Sequence, residues 1–155
     1  MLMTIRGLRG VPSMKLPSDE RLGHILKRAE QEVNAAKHTA LRPFNLSTAQ
    51  HTVMLAIHEA PGLSGAALAR RCLVTPQTIS SVLGTLEGRG LVERKPHPVH
   101  QHILEARLTR TGRNLLNKAD DAVSVVEESL AAAFQAEERA TFRAFLERCS
   151  SALRK

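Results

Sequence analysis

The chain has no tryptophan, no tyrosine and only four phenylalanines in 155 residues. Its core must therefore be aliphatic. That favours helices, because sheets draw on aromatic and β-branched side chains. The two cysteines, Cys72 and Cys149, fall within helical patterns, which excludes a disulfide-dense framework. No apolar run approaches the ~20 residues of a membrane span. The first residues, MLMTIRGLRGVPSMKLPSDE, lack the continuous apolar stretch of a signal peptide. The expectation is a cytoplasmic chain with no membrane partner. Acidic residues are also few, 15 against 22 Lys and Arg, giving a formal net charge of +7 and a sequence pI of about 10.2. Such an excess suits a polyanion such as DNA, RNA or an anionic membrane surface. The 43% hydrophobic content excludes a disordered chain, and the length allows one domain with a modest core.

Signatures of catalysis are missing too. There is no Ser-His-Asp arrangement within a recognisable motif, no glycine-rich phosphate loop and no familiar metal-ligand spacing. The adjacent pairs Glu127-Glu128 and Glu137-Glu138 lie on helical stretches, where neighbouring side chains diverge. His97, His100 and His102 are of a type that binds zinc, copper or nickel. The loop that carries them holds two prolines, and Glu105 is the nearest carboxylate, a poor cage. The expectation is no catalytic residue, no cofactor and no metal.

The information lies between Ser64 and Arg113. Ser64 and Thr75 are each positioned to cap a short helix, and Pro76 falls at a first helical position, where its missing N–H costs nothing. Ile79, Val82, Leu83 and Leu86 follow at helical spacing. Two short helices joined this tightly must cross at a large angle, which is helix–turn–helix geometry. Such a pair puts the start of its second helix into a DNA major groove. With Ile79, Leu83 and Leu86 turned inward, Pro76, Gln77, Thr78, Ser80 and Ser81 face outward, either as a solvated face or as DNA contacts. Gln can pair bidentately with an adenine edge, and Ser can bond bases or phosphates. Thr75 and Ser64 are caps first, with a phosphate contact as a second use.

Residues 91–94 and 103–108 read as two strands flanking KPHPVHQH, an exposed loop in which Pro96 and Pro98 bar ladder pairing. From position 89 to 113 six Lys/Arg face two Glu. Arg94, Lys95, His97, His100, Gln101 and His102 are the expected DNA contacts of this basic hairpin. Phosphate contacts of this kind set affinity and register and weaken with salt.

Around this segment run longer helices. The first is expected from about Asp19 to Leu41, preceded by Ser18. A second starts at Ser47, with Gln50 completing a capping box. A long helix opens at Thr109 or Thr111, and a last one covers about 137–153. The terminal helices are amphipathic: Leu22, Ile25 and Leu26 mark one stripe, and Phe142, Phe145, Leu146, Cys149 and Leu153 another. A single small module cannot cover them all, which points to a homodimer presenting two reading heads to a palindromic double-stranded site.

The stretches LSTAQ (46–50), GLSGAALARRCLVTPQTISSVLGTLEGRGLVER (62–94) and LTRTG (108–112) resemble the MarR family of bacterial winged helix regulators. The resemblance covers about 22–153. It implies a mainly α fold with a small β-hairpin wing, a winged helix-turn-helix with long N- and C-terminal dimerisation helices. Residues 1–17 are then a flexible basic arm and 18–155 a single MarR-like domain. Within it 18–46 and 114–155 form dimerisation helices and 47–113 the DNA-binding part. The function implied is a dimeric transcription factor, usually a repressor, released from DNA by small phenolic or lipophilic ligands, and in some members by oxidation or metal. Effectors of the family bind in a crevice between dimer core and reading head, which makes His38 and His51 ligand candidates. Redox-sensing members carry a cysteine in the first helix, where this chain has none. The family's wing also often holds Asp-x-Arg before its returning strand. Here His100, Gln101 and His102 stand in those places, so the minor-groove arginine does not carry over. The competing function is a winged helix used for protein interaction without specific DNA binding.

Overall fold

The computed structural model describes Pro17 and residues 20–153. The expected basic arm, apart from Pro17, and the residues Ser18 and Asp19 lie outside these. The chain divides into two compact units, 1–33 and 34–155. The described part of the first is Pro17, residues 20–21 and the beginning of helix α1 (Leu22–Leu41), with Leu22 (71% exposed), Ile25 and Leu26 open to solvent.

In the second unit, α1 ends at the buried Leu41, and Pro43 sits in a single 3-10 turn, Arg42–Phe44. Helix α2 (Thr48–Glu59) then opens on the expected capping box. The Ser47 hydroxyl accepts from Gln50 N at 3.1 Å, and the Gln50 side chain accepts from Ser47 N at 3.0 Å. Its buried face is His51, Val53, Met54, Ala56 and Ile57. Strand β1 (Leu63–Ser64), helix α3 (Gly65–Arg71), helix α4 (Pro76–Gly88), strands β2 (Val92–Pro96) and β3 (Leu104–Leu108), and helices α5 (Arg110–Ala132) and α6 (Ala136–Leu153) follow.

The sheet is antiparallel with strand order β1-β3-β2, one short strand more than the hairpin read from the sequence. Ser64 pairs with Glu105 while its hydroxyl caps α3 by accepting from Ala67 N. The loop also begins later than expected. Lys95 and Pro96 belong to β2, and Pro96 pairs with Leu104. Proline is tolerated there because β2 is an edge strand and Pro96 is its last residue.

One aliphatic core joins the end of α1, helices α2 to α5 and the sheet, while α6 contributes no buried residue to it. Leu41, Met54, Leu68, Ile79, Leu86, Val92 and Leu116 are almost fully buried in it, together with Ala119 and Val123 farther along α5. The start of α5 is pinned against the wing. Thr109 N donates to Leu91 O at 3.1 Å, the Thr109 hydroxyl donates to Gly90 O at 2.7 Å, and that hydroxyl accepts from Gly112 N at 3.0 Å. The LTRTG stretch thus consists of a cap that reaches back to the preceding turn and a glycine whose absent side chain permits that approach.

Candidate nucleic-acid interface

The turn between α3 and α4 consists of Cys72, Leu73, Val74 and Thr75. Leu73 turns the chain through the left-handed region at φ 55° and is 91% exposed. Val74 N donates to Ala69 O at 3.0 Å and closes the turn. Thr75 caps α4 by accepting from Thr78 N at 3.1 Å, and the two threonine hydroxyls lie 2.8 Å apart. Ile79, Leu83 and Leu86 anchor one side of α4 in the core. Thr75, Pro76, Gln77, Thr78, Ser80 and Ser81 are all exposed on the other. Among the described residues no group engages the side chains of Gln77, Ser80 or Ser81. The helix thus offers a short polar row with free donors and acceptors.

The charges of the wing are less free than the sequence count suggested. Arg94 donates to the Glu87 carboxylate from Nε at 3.0 Å and from its terminal amine at 2.5 Å, tying β2 to the last turns of α4. Those bonds hold the Glu87 carboxyl below the usual carboxylate range and raise the Arg94 guanidinium further. Lys95 lies 3.0 Å from Glu93, and Arg107 lies 2.8 Å from Glu105. Arg89 donates to Asn45 O at 2.7 Å, and Arg113 to Leu108 O at 2.9 Å. Of the six cations counted between 89 and 113, only Arg110 has no such partner among the described residues. Sequence distance hid these partners. Glu87 and Arg94 are seven residues apart and meet only because the chain turns at Gly90, at φ 66°.

At the wing tip His97 and His100 stack with ring centroids 5.2 Å apart, and His102 stands edge-on to His100 at 6.0 Å. His100, Gln101 and His102 are exposed, and His97 is half-buried. Among the described residues no group of three or more His, Cys, Asp or Glu is arranged to hold a metal ion. Cys72 is half-buried, and burial raises its thiol pKa, which disfavours the reactive thiolate.

The two ligand candidates do not meet. His38 lines a concavity of about 520 Å³ with Arg42, Leu46, Ser47, Thr85 and Arg89. Every charged group lining that concavity is cationic. The sequence reading missed Arg89 as a partner of His38 because 51 positions separate them. His51 lies elsewhere, buried between α2 and α5 with Nε2 at 3.2 Å from Asp120 Oδ1. Burial lowers its pKa against the pull of Asp120, and Lys37, which pairs with Glu127 at 2.5 Å, pushes the same way as burial. The fold therefore favours neutral His51, while in the unfolded chain the ring titrates near its ordinary value of ~6.5. As pH falls through that value the unfolded state takes up the proton first. Stability is full above pH ~6.5 and declines below it. Thermal melts from pH 7.5 to 5.5 are expected to fall more steeply for the native chain than for His51→Gln. Parallel profiles would contradict this.

Comparison with known proteins agrees with this geometry. A family model described as MarR family matches residues 44–101. HTH-type transcriptional repressor Rv2887 of Mycobacterium tuberculosis is 33% identical over 138 residues, 89% of this chain and 99% of that protein. Among solved structures, the transcriptional repressor CouR bound to a 23-mer DNA duplex matches with a TM-score of 0.79 at 28% identity, over 85% of this chain and 94% of that one. The MarR family protein Rv2887 in complex with p-aminosalicylic acid matches with a TM-score of 0.66 at 32% identity, over 84% and 98%. An aliphatic winged helix, a polar row on α4 and similarity over almost the full length of a repressor lead to one assignment: the chain belongs to the MarR family of transcriptional regulators.

Proposed function

We propose that the chain is a sequence-specific DNA-binding repressor that works as a homodimer in the cytoplasm, with α4 as its reading helix and a small acidic ligand as its releasing signal. The observation that carries this reading is the polar row of α4. Gln77, Ser80 and Ser81 are exposed with unengaged side chains, while the opposite side of the same helix is locked in the core. Gln77, Ser80 and Ser81 read base edges. Thr75, Pro76 and Thr78 shape the helix start, and Ser64 lies at the start of α3, where a phosphate can approach. Lys95, His100, Gln101 and His102 extend along the adjoining groove. Arg94 and His97 serve the wing's own structure first. CouR, similar over most of its length, is described with a DNA duplex, which supports the same use here. The role is regulatory, and no residue is assigned a catalytic part.

Dimerisation rests on apolar side chains left open to solvent. These are Leu22 and Ile25 on α1, Val125 and Leu130 on α5, and Phe142, Phe145 and Leu153 (84% exposed) on α6. Stripes of this kind mark association surfaces. The division of labour follows: 18–46 and 114–155 pair the subunits, and 47–113 binds DNA. The ligand reading rests on the cationic concavity at His38, Arg42 and Arg89, which faces Thr85 near the far end of α4. Rv2887, a relative similar over 84% of this chain and 98% of its own, is described with p-aminosalicylic acid, a carboxylate.

Selection from random duplexes tests the function. The expected product is an inverted repeat with half-sites about one helical turn apart. Its complex is expected to weaken steeply with salt and to be released by benzoate more than by neutral benzamide. Recovery of no preferred sequence at moderate salt would favour the protein-interaction alternative.

A further inference from the structure

We infer that His97 is the positioning residue of the wing tip, and that its neutral ring builds the turn presenting His100, Gln101 and His102. Its Nδ1 accepts from two successive backbone amides, Val99 N and His100 N, each at 3.1 Å. Two N–H groups aimed at one ring nitrogen require a lone pair there, so the proton of the neutral ring sits on Nε2. Nε2 faces Glu105 Oε1 across 3.7 Å. The backbone completes the turn: His97 N donates to Ile103 O at 2.7 Å, and Ile103 N donates to His100 O at 2.8 Å.

Protonation at Nδ1 would set an N–H against both amides and remove both bonds at once. The charged and titratable groups around this ring are Glu105, itself bridged by Arg107, the stacked His100, and His102 edge-on to His100; Lys95 on the preceding strand is paired with Glu93. None of them supplies an acceptor for Val99 N or His100 N. The wing tip is thus held in its turn by the Nδ1 lone pair of a neutral ring. Asparagine places an oxygen on Cγ where histidine has Nδ1, and it accepts from the same two amides in ordinary turns.

The consequence for DNA rests on the wing contacts proposed above, so the test separates the two. Nitrogen-15 NMR of the full-length protein at pH 8 is expected to show His97 with its proton on Nε2. His97→Asn should hold the Val99 and His100 amide resonances at their native positions, and His97→Phe should show them displaced. A proton on Nδ1 at pH 8, native amide positions in His97→Phe, or no rescue by His97→Asn would overturn the assignment. Operator affinity of His97→Phe at pH 8 should fall about tenfold, the shift that losing two ordinary hydrogen bonds allows. Displaced amides with unchanged affinity would leave the assignment of His97 standing and remove the wing from the DNA-binding reading.

Discussion

Gly112→Ala is expected to be the most damaging alanine substitution among the described glycines. A Cβ at Gly112 would lie 1.9 Å from Leu91 O and 2.9 Å from Leu91 C. Both are backbone atoms of a buried residue, and Leu91 O also accepts from Thr109 N. Neither can turn away as a flexible side chain could, so α5 must lift off the wing. Overpacking costs about 1–3 kcal/mol and more where backbone must move, against a helix-propensity gain for alanine of ~1 kcal/mol. The expected net loss is about 2 kcal/mol, or roughly 5 °C in melting temperature at fixed protein concentration. Gly84→Ala is the control. It lies inside α4 with nothing within 4 Å of an added Cβ. It should raise stability by about 0.5–1 kcal/mol. A Gly112→Ala melt equal to the native one would contradict the packing of α5 on Leu91.

Gln77→Ala is expected to cut operator affinity about a hundredfold while leaving the melting temperature unchanged. The side chain is exposed and unengaged, so its removal costs the fold little. A bidentate base contact is worth about 1–3 kcal/mol, and a two-fold dimer loses it twice. The loss should be confined to one base position in each half-site. Arg110→Gln should instead weaken binding to every duplex and flatten the salt dependence, as a phosphate contact does. Gel-shift titrations at several salt concentrations check both. An unchanged affinity for Gln77→Ala would move base reading away from α4.

Where the sequence was legible, the signals were local. Ser47, Ser64, Thr75 and Thr109 bond amides three residues ahead, and Pro76 fits a first helical turn, so every helix of the reading head could be started from its cap. The inward side of α4 followed from the spacing of Ile79, Leu83 and Leu86. What escaped was set by distant meetings. Edge placement of β2 admits Pro96 to the ladder, and pairing with Glu105 turns Ser64 into a strand residue as well as a cap. Burial against α5 makes His51 a packed side chain facing Asp120 and separates it from His38. Glu87 holds Arg94, which a count of charges had left free for phosphate.

Hydrogen exchange of the full-length protein with and without its selected operator measures the DNA face most directly. Slowed exchange is expected in the first turns of α4, at 77–81, and at the wing tip, 97–102, with α6 unaffected by the duplex. Protection that spares α4 and falls on another surface would contradict the assignment of α4 as the reading helix.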